Sequence, residues 1–216
     1  MWSTHQLQTK LSTNSWITAS WDEYIQAIDA PEYEKAKTYY FDKKLKIEMA
    51  AVGPNHANNN TIAIVAINLF CIVKGIPLKG LTNCSFRKTG LREAQPDISY
   101  YIGERASLAP TGTSIANLDI TAPPDLAIEI ASTSLADDLG YKRLLYEEME
   151  IKEYWVVDVE KSQIIAFAIA EGGSKRITTS QVLPALSITI LEEALQRSQE
   201  QDHTEIGTWL LAEFQK

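Results

Sequence analysis

The spacing of hydrophobic positions changes several times along the chain, and each change marks an element. Ser20 before Trp21-Asp22-Glu23 has the form of a helix N-cap with acids in the first turn, and the helix is predicted to run to about Ala30, where Pro31 stops it. Apolar residues then gather in Tyr39-Tyr40-Phe41 and Leu45-Lys46-Ile47-Glu48-Met49, on either side of Asp42-Lys43-Lys44, in the pattern of a β-hairpin. After Gly53-Pro54-Asn55 the period lengthens. Ile62, Val65, Ala66, Leu69, Phe70 and Val73 recur at helical spacing and predict a long helix from His56 to Lys74, which Gly75 and Pro77 end.

Strands are predicted at Thr82 to Phe86, Asp97 to Ile102 and Asp125 to Ala131, with Gly103 to Ala122 as a long connection suited to function or mobility. A helix from Asp138 to Met149 leads into Glu153-Tyr154-Trp155-Val156-Val157-Asp158. Further strands at Gln163 to Ile169, Lys175 to Thr179 and Ser187 to Ile190 complete a mixed sheet. From Leu191 the composition is helical and ends in the apolar cluster Ile206, Trp209, Leu210, Leu211 and Phe214. The fold class is therefore α/β, in the form of an α+β mixed sheet flanked by helices, and no internal repeat or linker divides the chain.

With 216 residues and 45% hydrophobic content, the chain is long enough for one full-sized core. The longest apolar-rich stretch, Thr61 to Val73, contains Asn68 and falls short of a bilayer span, so no membrane contact is expected. The N-terminus has no basic segment leading into an apolar one, and a cytoplasmic location is expected. Cys71 and Cys84 are too few and too isolated for a disulfide framework or a zinc site, and read as ordinary thiols. A formal net charge of -8 excludes a general nucleic-acid coat protein, whose affinity comes from neutralising phosphates. Charge is uneven, however: Lys74, Lys79, Arg87, Lys88 and Arg92 form an acid-free run. That run is either a basic edge, in which Arg87, Lys88 and Arg92 contact DNA, or the solvated face of a loop-rich region.

Asp125, Ala127, Glu129 and Ala131 alternate with Leu126, Ile128 and Ile130, so as a strand the segment carries its carboxylates on one face and its aliphatic groups on the other. Glu129 lies mid-strand, where an ion is costly to bury unless a cation or hydrogen bonds compensate it. Asp97 follows Pro96, which keeps the chain extended and places the carboxylate at a strand end. Two carboxylates with water make the oxygen-rich site that Mg²⁺ or Mn²⁺ prefers, whereas His5, His56 and His203 are too scattered for zinc. Mg²⁺ held this way lowers the pKa of a bound water and clamps a phosphate oxygen. Lys142 forms a row with Asp138 and Tyr146 on one helix face. Spacing leaves two readings of it: a group that orients the attacking water and neutralises the phosphate, or an exposed Asp138 to Lys142 ion pair worth about 0.3–0.5 kcal/mol. Asp97 could likewise be a turn-capping carboxylate, and Glu129 a buried structural acceptor. Ser132 and Ser134 lack a Gly-x-Ser-x-Gly context, and no Gly-rich phosphate loop occurs.

Taken in order, Gly53-Pro54-Asn55-His56, Gln95-Pro96-Asp97, Pro124-Asp125-Leu126-Ala127-Ile128-Glu129-Ile130-Ala131-Ser132, Asp138 with Lys142 and Tyr146, and Glu153-Tyr154-Trp155-Val156-Val157-Asp158 resemble the Uma2 family. This is a group of restriction-endonuclease-like proteins abundant in cyanobacteria, and the resemblance covers roughly Trp21 to Leu191. It implies the PD-(D/E)xK nuclease fold, a four-stranded mixed core sheet flanked by helices. In domain terms it implies a single domain over 1–216 with the nuclease core at 21–191 and a C-terminal helical extension at 192–216. It also implies hydrolysis of DNA phosphodiesters, with Asp97 and Glu129 as the motif carboxylates and ligands of Mg²⁺ or Mn²⁺. The superfamily lysine stands two residues after the glutamate, where this chain has Ala131; in Uma2-like proteins it has moved to the following helix, which maps it onto Lys142. His56 matches a family histidine, and Asp138 and Glu48 are further candidates. The glutamate that often precedes the family's early hairpin is replaced around Tyr39 and Tyr40, with Glu48 as a weak substitute. Glu153, Tyr154, Trp155 and Asp158 match as well, but alternation on a strand buried on both faces assigns them to the fold. The rival reading, favoured by the acidic net charge, is a non-catalytic nucleic-acid-binding or assembly module. Cutting both strands of a duplex needs two sites, so a homodimer or higher homo-oligomer is expected.

Overall fold

The computed structural model describes residues 12–49 and 51–216. After a short strand β1 (Ile17–Thr18), helix α1 (Trp21–Ile28) starts where predicted: Ser20 Oγ accepts from the Glu23 amide and Glu23 Oε2 accepts from the Ser20 amide, a reciprocal cap. Strands β2 (Lys37–Phe41) and β3 (Lys44–Glu48) form the expected hairpin. Its two turn residues, Asp42 and Lys43, have φ of 47° and 55°, the twist that a tight antiparallel turn needs. Helix α2 (Pro54–Lys74) begins two residues earlier than predicted because Pro54 occupies the first helical position, and it ends at Gly75 with φ 66°.

The chain continues through β4 (Leu78–Thr82), β5 (Phe86–Lys88), β6 (Arg92–Ala94), β7 (Ile98–Ile102), β8 (Ala116–Asn117) and β9 (Leu126–Ala131). Then follow α3 (Leu135–Leu139), α4 (Tyr141–Glu148), β10 (Glu153–Asp158), β11 (Gln163–Ala170), β12 (Gly173–Ile177), α5 (Ile188–Arg197) and α6 (His203–Phe214). Three expectations fail locally. The strand expected at Thr82 to Phe86 is divided between β4 and β5, in different sheets, because Asn83 turns the chain at φ 51°. The strand expected at Ser187 to Ile190 is instead the cap and first turn of α5, leaving only an isolated bridge between Thr179 and Ser187. The helix expected from Asp138 to Met149 is broken at Gly140, whose φ of -103° and ψ of -102° interrupt it between α3 and α4.

The strands form two six-stranded mixed sheets flanked by helices, the expected mixed α+β class with more strands than the four of the implied core. The first runs β1-β3-β2-β6-β5-β8, and the second β12-β11-β10-β9-β7-β4 with β9 and β10 as its parallel pair. On one face of the second sheet, Ile98, Tyr100, Leu126, Ile128, Ile130, Trp155 and Val157 pack against α2, α5 and α6. On the other, Ala127, Ala131, Tyr154 and Val156 meet Tyr39, Phe86 and Ala94 of the first sheet and Leu145 and Tyr146 of α4. Alternation therefore sorts β9 and β10 between two cores, as the sequence pattern required. Helix α2, at 21 residues, is long and apolar enough to cross a membrane by length and composition, which corrects the shorter span read from sequence. Ile62, Ala66, Ile67 and Phe70 are nonetheless buried in the protein core, where Phe70 meets Phe214 of α6 edge to face at 5.2 Å. Cys71 is buried and Cys84 half-buried, both as free thiols.

Candidate active site

Antiparallel pairing sets Ile98 against Ile128 and Ser99 against Ala127, so one further step of the same register places Asp97 opposite Glu129. Directly opposed residues project from the same face, here the face turned toward the first sheet. Both carboxylates are almost fully buried. Asp97 Oδ2 accepts from the Ile130 amide at 2.8 Å and lies 3.4 Å from His56 Nε2, while Oδ1 accepts from Lys37 Nζ. Burial alone would raise the Asp97 carboxyl. The hydrogen bond from His56 and the Lys37 ammonium outweigh it and hold the group well below the usual carboxylate range.

Glu129 is in the opposite condition. Its Oε1 accepts from Tyr146 at 2.7 Å and from Tyr39 at 3.4 Å, with Lys142 Nζ at 3.7 Å. Burial is the strongest influence on it, and the Asp97 charge adds to it, so that even against Lys142 the carboxyl is pushed up to about 8. The two opposed carboxylates are therefore driven apart, Asp97 held down by its hydrogen bonds and cation and Glu129 pushed up chiefly by burial.

Lys142 is 1% exposed, so it is not the exposed surface ion pair that its spacing from Asp138 also allowed. Its ammonium lies 3.0 Å from Asp138 Oδ1 and 3.1 Å from Glu48 Oε1, donates to Tyr39 at 3.2 Å, and sits 4.3 Å from the centre of the Tyr39 ring. Burial works against its charge, but Glu129, Asp138 and Glu48 together hold its pKa well above the ordinary lysine value. The kink at Gly140 does not separate the pair, since Asp138 still reaches Lys142 across it. Ser134 serves here as a support, donating to Asp138 Oδ2 at 2.5 Å. Tyr154 of β10 fixes the same turn by donating to the Asp138 carbonyl at 3.0 Å.

The family model Uma2, described as "Putative restriction endonuclease", matches residues 21–211. The chain belongs to the Uma2 family. The match runs past Leu191 through α5 and into α6, further than the motifs alone indicated. Among solved structures, the Uma2 chain is similar to a protein from Anabaena variabilis ATCC 29413 described as a putative nuclease belonging to DUF820. The two are 18% identical, the match covers 82% of this chain and 98% of that one, and the TM-score is 0.57, a likeness that shows a shared fold. Comparison with curated proteins gives no match.

In this Uma2 chain, Asp97, Glu129, Lys142, His56, Asp138 and Glu48 come together from the residue before β7 and from β9, α4, α2, α3 and β3. Arg87, Lys88 and Arg92 do not join them. They lie on β5 and β6, paired with Glu93, Asp119 and Glu148 respectively, three residues upstream of the Gln95-Pro96-Asp97 turn at the closest. Sequence reasoning passed over Lys37, Tyr39, Lys46 and Asp137. Lys46 Nζ lies 2.7 Å from Glu48 Oε1 and donates to Asp137 Oδ2 at 2.5 Å, and Asp137 also accepts from Trp16 at 2.6 Å. A signal for three of them was present: Lys37, Tyr39, Lys46 and Glu48 share one face of the hairpin once its register is known.

The donor chemistry suits a hard divalent cation that keeps most of its water. Among the described residues Glu129 Oε2 accepts no hydrogen bond, which leaves an open oxygen, and Asp97 Oδ1 accepts only from the Lys37 ammonium. No group of three or more His, Cys, Asp or Glu side chains placed to hold a metal ion occurs among the described residues. An apolar hollow of about 400 Å³ between α2 and β4, lined by Ile64, Ile72 and Tyr100, opens on the other face of the second sheet, away from these carboxylates.

Proposed function

We propose that this Uma2 chain is a divalent-cation-dependent endonuclease that hydrolyses DNA phosphodiesters at the cluster around Lys142. The observation that carries the reading is the convergence of four largely buried carboxylates, Glu48, Asp97, Glu129 and Asp138, on one face with a buried lysine among them. Such an arrangement costs stability, and buried charge of this density is characteristic of a functional site.

Asp97 and Glu129 are the residues that would hold Mg²⁺ or Mn²⁺, which supplies Lewis acidity toward a phosphate oxygen and a more acidic bound water. Lys142 stays cationic at neutral pH because three carboxylates face it, and it stabilises negative charge that develops on the phosphate during attack. Tyr39 accepts from Lys142 and donates to Glu129, and so fixes the distance between them. Tyr146 orients Glu129 from α4. Arg87, Lys88 and Arg92 supply contacts to the DNA backbone in this reading, and a homodimer presents the two sites that duplex cleavage requires.

One observation favours a non-catalytic DNA-binding module instead: each motif carboxylate already faces a protein cation, Lys37 on Asp97 and Lys142 near Glu129. Cleavage of supercoiled plasmid in Mg²⁺ or Mn²⁺ decides between them. The nuclease reading expects nicking or linearisation that EDTA, Asp97→Asn and Glu129→Gln each abolish. DNA that is bound in Ca²⁺ but left uncut in both active ions supports the module.

A further inference from the structure

The proposed hydrolysis uses Lys142 but has no place for Lys37. Lys37 opens β2, its side chain is 22% exposed, and its ammonium is hydrogen-bonded to Asp97 Oδ1. The other Asp97 oxygen is committed to the Ile130 amide and faces His56. Oδ1 is therefore the oxygen that Asp97 can offer to a cation, and Lys37 sits on it. Unlike Lys142, whose side chain is 2% exposed and hemmed in by three carboxylates, Lys37 has an exit. It borders solvent, and hairpin register places it directly across from Glu48, a second carboxylate on the same face.

We infer that Lys37 is a built-in competitor for the divalent cation, an ammonium that occupies Asp97 until the ion displaces it and so sets the concentration at which the site fills. The inference rests on the reading of Asp97 and Glu129 as the cation site. An ammonium beside a carboxylate typically weakens proton binding by about 1–3 pKa units, or roughly ten- to a thousandfold, and a metal ion seeking the same oxygen meets the same competition. The competitor also explains how two opposed carboxylates stay folded together before an ion arrives: Asp97 is neutralised locally while Glu129 retains an oxygen without a donor.

Calorimetric titration of Mn²⁺ into the full chain tests this with a readout independent of cleavage. Lys37→Met should bind Mn²⁺ at least about tenfold more tightly than the wild type, and Lys37→Arg, which keeps the charge, should bind within about threefold of it. Lys35→Met, at an exposed position two residues away, controls for the general change in net charge and should shift affinity by less than about twofold at 0.15 M salt. Lys37→Gln repeats the test should the methionine variant fail to fold. Equal or weaker Mn²⁺ binding by the uncharged variants, or an equal gain in Lys35→Met, overturns the role of Lys37 while leaving the cation site standing if Asp97→Asn loses affinity. Mn²⁺ binding that is unchanged in both Asp97→Asn and Glu129→Gln, or absent from wild type and Lys37→Met alike, removes the cation site and the competitor with it.

Discussion

Replacing Lys142 by methionine keeps most of the side-chain volume and deletes one buried charge. Its ammonium is 3.0 Å from Asp138, 3.1 Å from Glu48 and 3.7 Å from Glu129. At an effective dielectric of about 20 each contact is worth roughly 5 kcal/mol in gross Coulomb energy, most of which offsets the desolvation of the ions themselves. Stripping one partner from a buried pair leaves a net loss of about 3–5 kcal/mol, because Asp138 loses its ammonium where water does not reach it, while Glu48 keeps Lys46. For a chain of this size 1 kcal/mol moves the melting temperature by about 2–4 °C, so the expected fall is about 6–20 °C. An exposed pair at the same spacing would shift it by no more than about 2 °C. Thermal unfolding at pH 7, followed by circular dichroism, separates these cases. A Lys142→Met variant that melts within about 2 °C of the wild type would refute the buried geometry, and with it the argument that the cluster is a strained site.

Three other expectations follow from the same physical accounting. Glu153 is fully buried and accepts from the Gln181 and Val182 amides at 2.5 and 3.0 Å, and from Ser180 and Trp155 at 2.9 Å each. Glu153→Ala strands four donors and should cost at least about 3 kcal/mol in urea unfolding with Mn²⁺ affinity unchanged; an intact fold with weakened Mn²⁺ binding would move Glu153 into the site. Lys43, exposed at φ 55° in the β2–β3 turn, should gain up to about 1 kcal/mol on change to glycine and nothing on change to alanine, read from the urea midpoint at constant slope. Burial pushes the Glu93 carboxyl up even with Arg87 on it. A raised carboxyl binds its proton more tightly in the folded state, so its contribution is full below the unfolded value of about 4.3 and is lost as pH rises toward the folded one. The stability of the wild type relative to Glu93→Gln should therefore fall as pH rises through that window, and a flat or rising difference would show that Arg87 fully compensates the charge.

What the sequence determined by itself is everything that depends on near neighbours. Alternation in Leu126–Ala131 and Glu153–Asp158 identified two central strands and assigned their faces, and Ser20 with Glu23 marked the start of α1 before any coordinate. Motif order then pointed to Asp97, Glu129 and Lys142, because each stands at a readable place: after a proline, mid-strand, and on a helix after that strand. Local signals failed where two conformations were close in energy. Asn83 could continue a strand or turn it, Ser187 to Ile190 could pair or cap, and Gly140 could extend a helix or break it; packing chose in each case. The charge state of the site was beyond sequence altogether. The same Asp138 and Lys142 spacing describes a negligible surface pair or a buried ammonium held by three carboxylates, and only the approach of Glu48 from β3 and Glu129 from β9 distinguishes them. Lys37 and Tyr39 were legible as one hairpin face but not as parts of a site, since that face acquires its partners only when the first sheet closes over the second. Coulomb and desolvation energies depend on distance through space and on the exclusion of water, and both are properties of the assembled fold.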